Sequence, residues 1–121
     1  MIDIRSAFYV LCLAVALGCV LASPYLRGAK KRLPWPIAVV HGVLGTVGLA
    51  ILLLVLRNGL PPSAMGTTGF APAAAVLLGI ALLLGLVIGL RRRRPVGVLV
   101  AVHASVAIAG FVVLWTVVSL G

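Results

Sequence analysis

Acid is almost absent from this sequence. Among 121 residues Asp3 is the one carboxylate, against ten Lys and Arg. A lone carboxylate excludes the paired acids of general acid–base chemistry. The chain also lacks a Ser-His-Asp set, a phosphate-binding glycine loop and a Cys-x-x-Cys pair, so hydrolytic and nucleotide chemistry have no foothold. Cys12 and Cys19 are seven positions apart in one apolar run. On a helix their Cα atoms stand about 10 Å apart, too far to bridge, and small apolar filling is their expected role. Charge of any kind is scarce, at 9% of residues against about 25% in a soluble domain. What is present is apolar: 64% of residues are hydrophobic and the mean hydropathy is +1.33. A chain this short exposes much of its surface, so lipid is the solvent that matches it.

Four runs are long enough to cross a hydrocarbon core, which takes roughly 20 apolar residues. They cover residues 7–23, 36–56, 70–90 and 96–120, and none contains Asp, Glu, Lys or Arg. Barrel strands would alternate apolar and polar residues, and these runs do not. The expected fold class is therefore all-α, an integral membrane four-helix bundle forming one transmembrane domain over residues 1–121.

Charge orients the spans. Arg27, Lys30, Lys31 and Arg32 separate spans one and two, and Arg91, Arg92, Arg93 and Arg94 separate spans three and four. Only Arg5 and Arg57 fall on the other side. The positive-inside rule puts the basic loops in the cytoplasm of an inner (cytoplasmic) membrane and both termini on the non-cytoplasmic side. The net charge of +9 then reflects topology and needs no nucleic acid; anionic lipid headgroups are its natural counter-charges. Asp3 offsets Arg5 ahead of span one, which is unlike the positive start of a secretory signal, so span one is expected to be retained.

The two halves repeat. A shift of 62 positions lays Arg32 on Arg94, Val40 on Val102, His41 on His103, Gly48 on Gly110, Leu52 on Leu114 and Val55 on Val117. Each half reads span, basic loop, span, giving two tandem helix pairs. The only two histidines thus lie at matching depth, each nine residues beyond an arginine and about 13–14 Å along the helix from it. Ionisable residues within a span are costly and point to function. His41 is followed on its own helix face by Gly45 and Gly48, and His103 by Ala107 and Gly110. A stripe of imidazole, small residue and glycine lets a flat group lie against the backbone beside a nitrogen ligand. Two such stripes across a bundle suit a haem.

This arrangement resembles the membrane-bound b-type cytochromes, in which bundle helices clamp haem between paired histidines. The resemblance rests on His41, Gly45, Gly48, His103, Ala107 and Gly110 in spans two and four. It implies one haem b per chain, with His41 and His103 as the axial metal ligands. It also implies Arg32 and Arg94 as the nearest basic partners for the propionates, with Lys31 and Arg93 as alternates. Many such cytochromes carry four histidines and two haems; two histidines here limit the chain to one. The implied function is electron transfer within a larger membrane redox complex, with a quinone or another cytochrome subunit as partner, rather than stand-alone catalysis.

Other readings fit the same residues. The histidines can hydrogen-bond between helices, and the glycines can serve close packing alone, as small residues do in lipid. The chain would then be a cofactor-free accessory or assembly subunit. A small transporter is a third reading, although an intramembrane carboxylate is missing. Thr46 and Ser105 are expected to bond back to their own helix carbonyls, with orientation of an imidazole as the alternative. Tyr9, Tyr25, Trp35 and Trp115 sit near span ends, as interfacial aromatics do.

Overall fold

In the computed structural model, which describes residues 3–28, 34–60, 66, 68–91 and 96–121, the chain forms four helices. They are α1 (Ile4–Leu26), α2 (Trp35–Asn58), α3 (Phe70–Leu90) and α4 (Gly97–Leu120). All four are long and apolar enough to cross a bilayer. At 1.5 Å per residue they measure about 32–36 Å, against about 30 Å of hydrocarbon.

The helix ends have local causes. Asp3 caps α1: its carboxylate accepts from the Ser6 amide at 2.8 Å and the Ser6 hydroxyl at 2.7 Å. This starts the helix three residues before the apolar run. At its other end α1 passes through Pro24 to Leu26. A proline there has no N–H for the carbonyl of Val20, and the Ser23 hydroxyl donates to that carbonyl instead, at 2.8 Å. Pro36 lies in the first turn of α2, where a missing N–H is tolerated. Gly59, at φ +88°, ends the same helix in a backbone conformation that suits glycine.

Packing follows the repeat. α1 lies chiefly on α2 and α3 on α4, with lighter seams between α2 and α3 and between α1 and α4. The inward faces form two matched sets, with five residues on each helix. On α2 they are His41, Gly45, Gly48, Leu52 and Val55; the α4 residues 62 positions on are His103, Ala107, Gly110, Leu114 and Val117. On α1 they are Ile4, Ala7, Leu11, Ala14 and Gly18, and their α3 counterparts stand 67 positions on, at Ala71, Ala74, Leu78, Ala81 and Gly85. Both sets step by three or four, the spacing of one helix face.

One apolar cluster unites Ile4, Leu11, Leu52, Val55, Ala71, Leu78, Leu114 and Val117. It fills the end of the bundle holding Asp3, Asn58, Phe70 and Gly121, hereafter the terminal end. The histidines lie towards the other end, from which the links between the paired helices emerge, hereafter the loop end. Outward positions carry large apolar side chains. Leu13, Val43, Leu83 and Val112 are each more than half exposed, as suits a lipid-facing surface.

The two-fold pattern breaks at one seam. Phe8 of α1 stacks on Phe111 of α4, with centroids 5.2 Å apart and planes 11° from parallel. The matching positions, Ala75 and Leu49, place two buried aliphatic residues at the α2–α3 seam.

Candidate functional site

The site begins with α2 and α4, whose seventh residues are His41 and His103. Both side chains are partly buried. The His41 Nδ1–H donates to the backbone carbonyl of Ala14 on α1 at 2.7 Å. The His103 Nδ1–H donates to the carbonyl of Ala81 on α3, also at 2.7 Å. A carbonyl oxygen can only accept, so the proton must sit on Nδ1 in each ring. In the neutral form, each Nε2 then keeps its lone pair. The carbonyls remain part of their helices: the second lone pair of each is used by the amide four residues on.

Those amides belong to Gly18 and Gly85, and their lack of a side chain admits the rings. A Cβ built on Gly18 would lie 3.0 Å from His41 Cε1 and 3.5 Å from its Nδ1. A Cβ on Gly85 would lie 3.1 Å from His103 Cε1 and 3.5 Å from its Nδ1. The two half-sites are thus near copies, each made of an imidazole, a carbonyl and a glycine.

The copies meet. The His41 and His103 ring centroids are 6.0 Å apart, with planes 82° from parallel. The depth match read from spacing is therefore also a match in space. Among the described residues no group of three or more His, Cys, Asp or Glu comes together as a potential metal site. The histidine pair stands without a third protein ligand of those types.

The small residues beside the histidines divide into two kinds. Gly48 is buried under Leu11, whose Cγ would be 2.6 Å from an added Cβ, and Gly110 is buried under Leu77 and Leu78, with contacts at 3.0 Å. These two glycines are used for helix-to-helix contact. Gly45 has no atom within 4 Å of an added Cβ. It and Ala107 are partly buried, one turn from the histidines. Thr46 donates to the Gly42 carbonyl and Ser105 to the Ala101 carbonyl, both at 2.8 Å, so their hydroxyls are spent on their own helices. The groups that orient the imidazoles are backbone carbonyls. Arg32 and Arg94, with Lys31 and Arg93, lie outside the described residues.

Sequence reasoning missed Ala14, Gly18, Ala81 and Gly85. Their signal is a second repeat, Ala7-Leu11-Ala14-Gly18 against Ala74-Leu78-Ala81-Gly85, at a shift of 67. The shift of 62 that aligns the histidines hides it. Comparison of the chain with protein-family models, curated proteins and solved structures gives no match.

Proposed function

We propose that this chain is a membrane electron-transfer protein that holds one haem b between His41 and His103, as a subunit of a larger redox complex. The observation that carries the reading is the presentation of the histidines. Each is tethered through Nδ1–H to a carbonyl, leaves Nε2 as the donor atom, and lies with its ring 6.0 Å from the other. Metal-binding histidines typically anchor their second nitrogen in this way. The donor count also favours haem: a bare ion such as zinc needs about four ligands, whereas a porphyrin brings four nitrogens of its own and needs two axial ones.

A bound haem supplies a one-electron iron couple. His41 and His103 would hold the iron through Nε2, with the Ala14 and Ala81 carbonyls keeping each ring in one tautomer and the surrounding helices excluding water. Gly45 has open space beside it, one turn from His41, Ala107 is the matching small residue one turn from His103, and Arg32 and Arg94 are the proposed partners of the propionates. The basic loops are placed in the cytoplasm by their charge, so the haem would lie nearer that side of the inner membrane. A quinone or a second cytochrome subunit is the proposed redox partner.

The second reading, a cofactor-free accessory subunit, draws on Gly48 and Gly110, which are fully engaged in helix contact. One experiment separates the two. Protein purified in detergent, after expression with sufficient haem and native partners, is examined by a reduced-minus-oxidised visible spectrum with pyridine haemochrome quantification. About one haem b per chain supports the cytochrome; the absence of haem leaves the accessory subunit.

A further inference from the structure

We infer that Gly18 and Gly85 are positioning residues that set the protonation site, and hence the donor strength, of His41 and His103. The inference rests on the haem reading for its redox consequence and on geometry alone for the tautomer.

A helix carbonyl points along the axis towards the residue four positions on, so the side chain at that residue flanks the approach to its oxygen. For Ala14 that residue is Gly18, and for Ala81 it is Gly85. Each imidazole reaches its carbonyl through the space the glycine leaves, with ring atoms at 3.0–3.9 Å from where a Cβ would stand. The ring cannot retreat without stretching a 2.7 Å hydrogen bond. Alanine at either position must therefore displace the ring, lengthen the Nδ1–H to carbonyl bond, or part the helices. The neighbouring glycines do not share this property: Gly79 and Gly89 on α3 and Gly42 and Gly45 on α2 have open space at an added Cβ. Placement of a tight glycine four residues after the acceptor, in both halves, is what makes the role specific. A strong carbonyl bond at Nδ1 makes the opposite nitrogen a better donor, which favours the oxidised metal.

The test uses full-length protein with 15N-labelled histidine in detergent micelles, before and after haem loading. In the wild type without haem, both imidazoles should show the Nδ1–H tautomer; an Nε2–H tautomer in either overturns the inference, whatever the variants do. Gly18→Ala should shift His41 towards mixed tautomers and Gly85→Ala should do the same for His103, while Gly79→Ala changes neither. Wild-type imidazole nitrogen spectra in both glycine variants overturn the inference. If haem binds, Gly18→Ala and Gly85→Ala should raise the reduction potential relative to Gly79→Ala, and equal potentials refute the positioning role. If haem never binds, the haem reading fails alone, and the tautomer measurement still decides this one.

Discussion

Leu11 and Gly48 meet as knob and hole, and a double-mutant cycle across them measures how the helix pairs are held. Gly48→Ala would place a carbon 2.6 Å from Leu11 Cγ and 2.8 Å from Cδ2. Carbon atoms pack at about 3.5–4.0 Å, so the seam must open by about 1 Å or Leu11 must leave its rotamer. Overpacking of this kind costs about 1–3 kcal/mol. The usual advantage of alanine over glycine in a helix, about 1 kcal/mol, largely cancels here, because membrane helices stay helical when they separate in an apolar solvent. Leu11→Ala alone should cost about 2 kcal/mol, the low end for a core truncation. The lipid already solvates the leucine, so only packing is lost. In the double variant the new methyl enters the space Leu11 vacates, and the loss should fall short of the sum by about 1–3 kcal/mol. Titration of the purified protein from mild detergent into SDS, followed by the fluorescence of Trp35 and Trp115, gives the four stabilities. Losses that add to within about 0.5 kcal/mol would refute knob-into-hole contact at this seam. The matching cycle at Leu78 and Gly110 should couple more weakly, because Gly110 is shared between Leu77 and Leu78, with approaches of 3.0 Å.

Further expectations follow from the site, the spans and the cap. His41→Ala or His103→Ala should each abolish stable six-coordinate haem while the bundle still assembles; an unchanged six-coordinate spectrum in either variant would show the ligand assignment to be wrong. In a chain with Cys12 and Cys19 replaced by alanine, Gly28→Cys and Arg91→Cys should react with a membrane-impermeant thiol reagent from the cytoplasmic side. Asn58→Cys and Gly121→Cys should react from the opposite side, and a shared side for all four would contradict four crossings. Hydrogen bonds from the Ser6 hydroxyl, and then from the Ser6 amide, hold the Asp3 carboxyl below its ordinary range. The cap is therefore fully present above the ordinary Asp value of about 3.9 and is lost as pH falls through the lowered folded value. Protection of the Ser6 amide against hydrogen exchange should follow that course, and Asp3→Ala should remove it at every pH; protection that survives the substitution would show that the carboxylate is not the cap.

The spans were legible because hydrocarbon thickness sets their length and the basic runs bound them. Residues 70–90 match α3, and 96–120 differs from α4 by one residue. The first run, 7–23, fell three residues short at each end of α1. The Asp3 cap adds a turn ahead of the apolar stretch, and the Ser23 hydroxyl carries the helix past Pro24. The inward faces of α2 and α4 could be read because a histidine marks each one. Those of α1 and α3 could not. These helices are apolar all round, so polarity does not separate a core position from a lipid-facing one. What distinguishes Ala7, Ala14 and Gly18 is size, and size becomes informative only once the partner side chain is known. Gly48 and Gly110 show the same limit. Spacing alone ranks them with Gly45 and Ala107 as walls of a slot, whereas Leu11, Leu77 and Leu78 occupy the space above them.

The two repeat shifts, 67 for α1 against α3 and 62 for α2 against α4, differ by five residues. That surplus lies wholly between Gly18 and His41, compared with the shorter course from Gly85 to His103. Yet both imidazoles reach their carbonyls at the same 2.7 Å. Three of the five extend α1, which runs eight residues past Gly18 where α3 runs five past Gly85, and two lengthen the link, so two different courses reach the same registration of the facing surfaces. Exchange of the two links between the hairpins should therefore leave each histidine on its carbonyl.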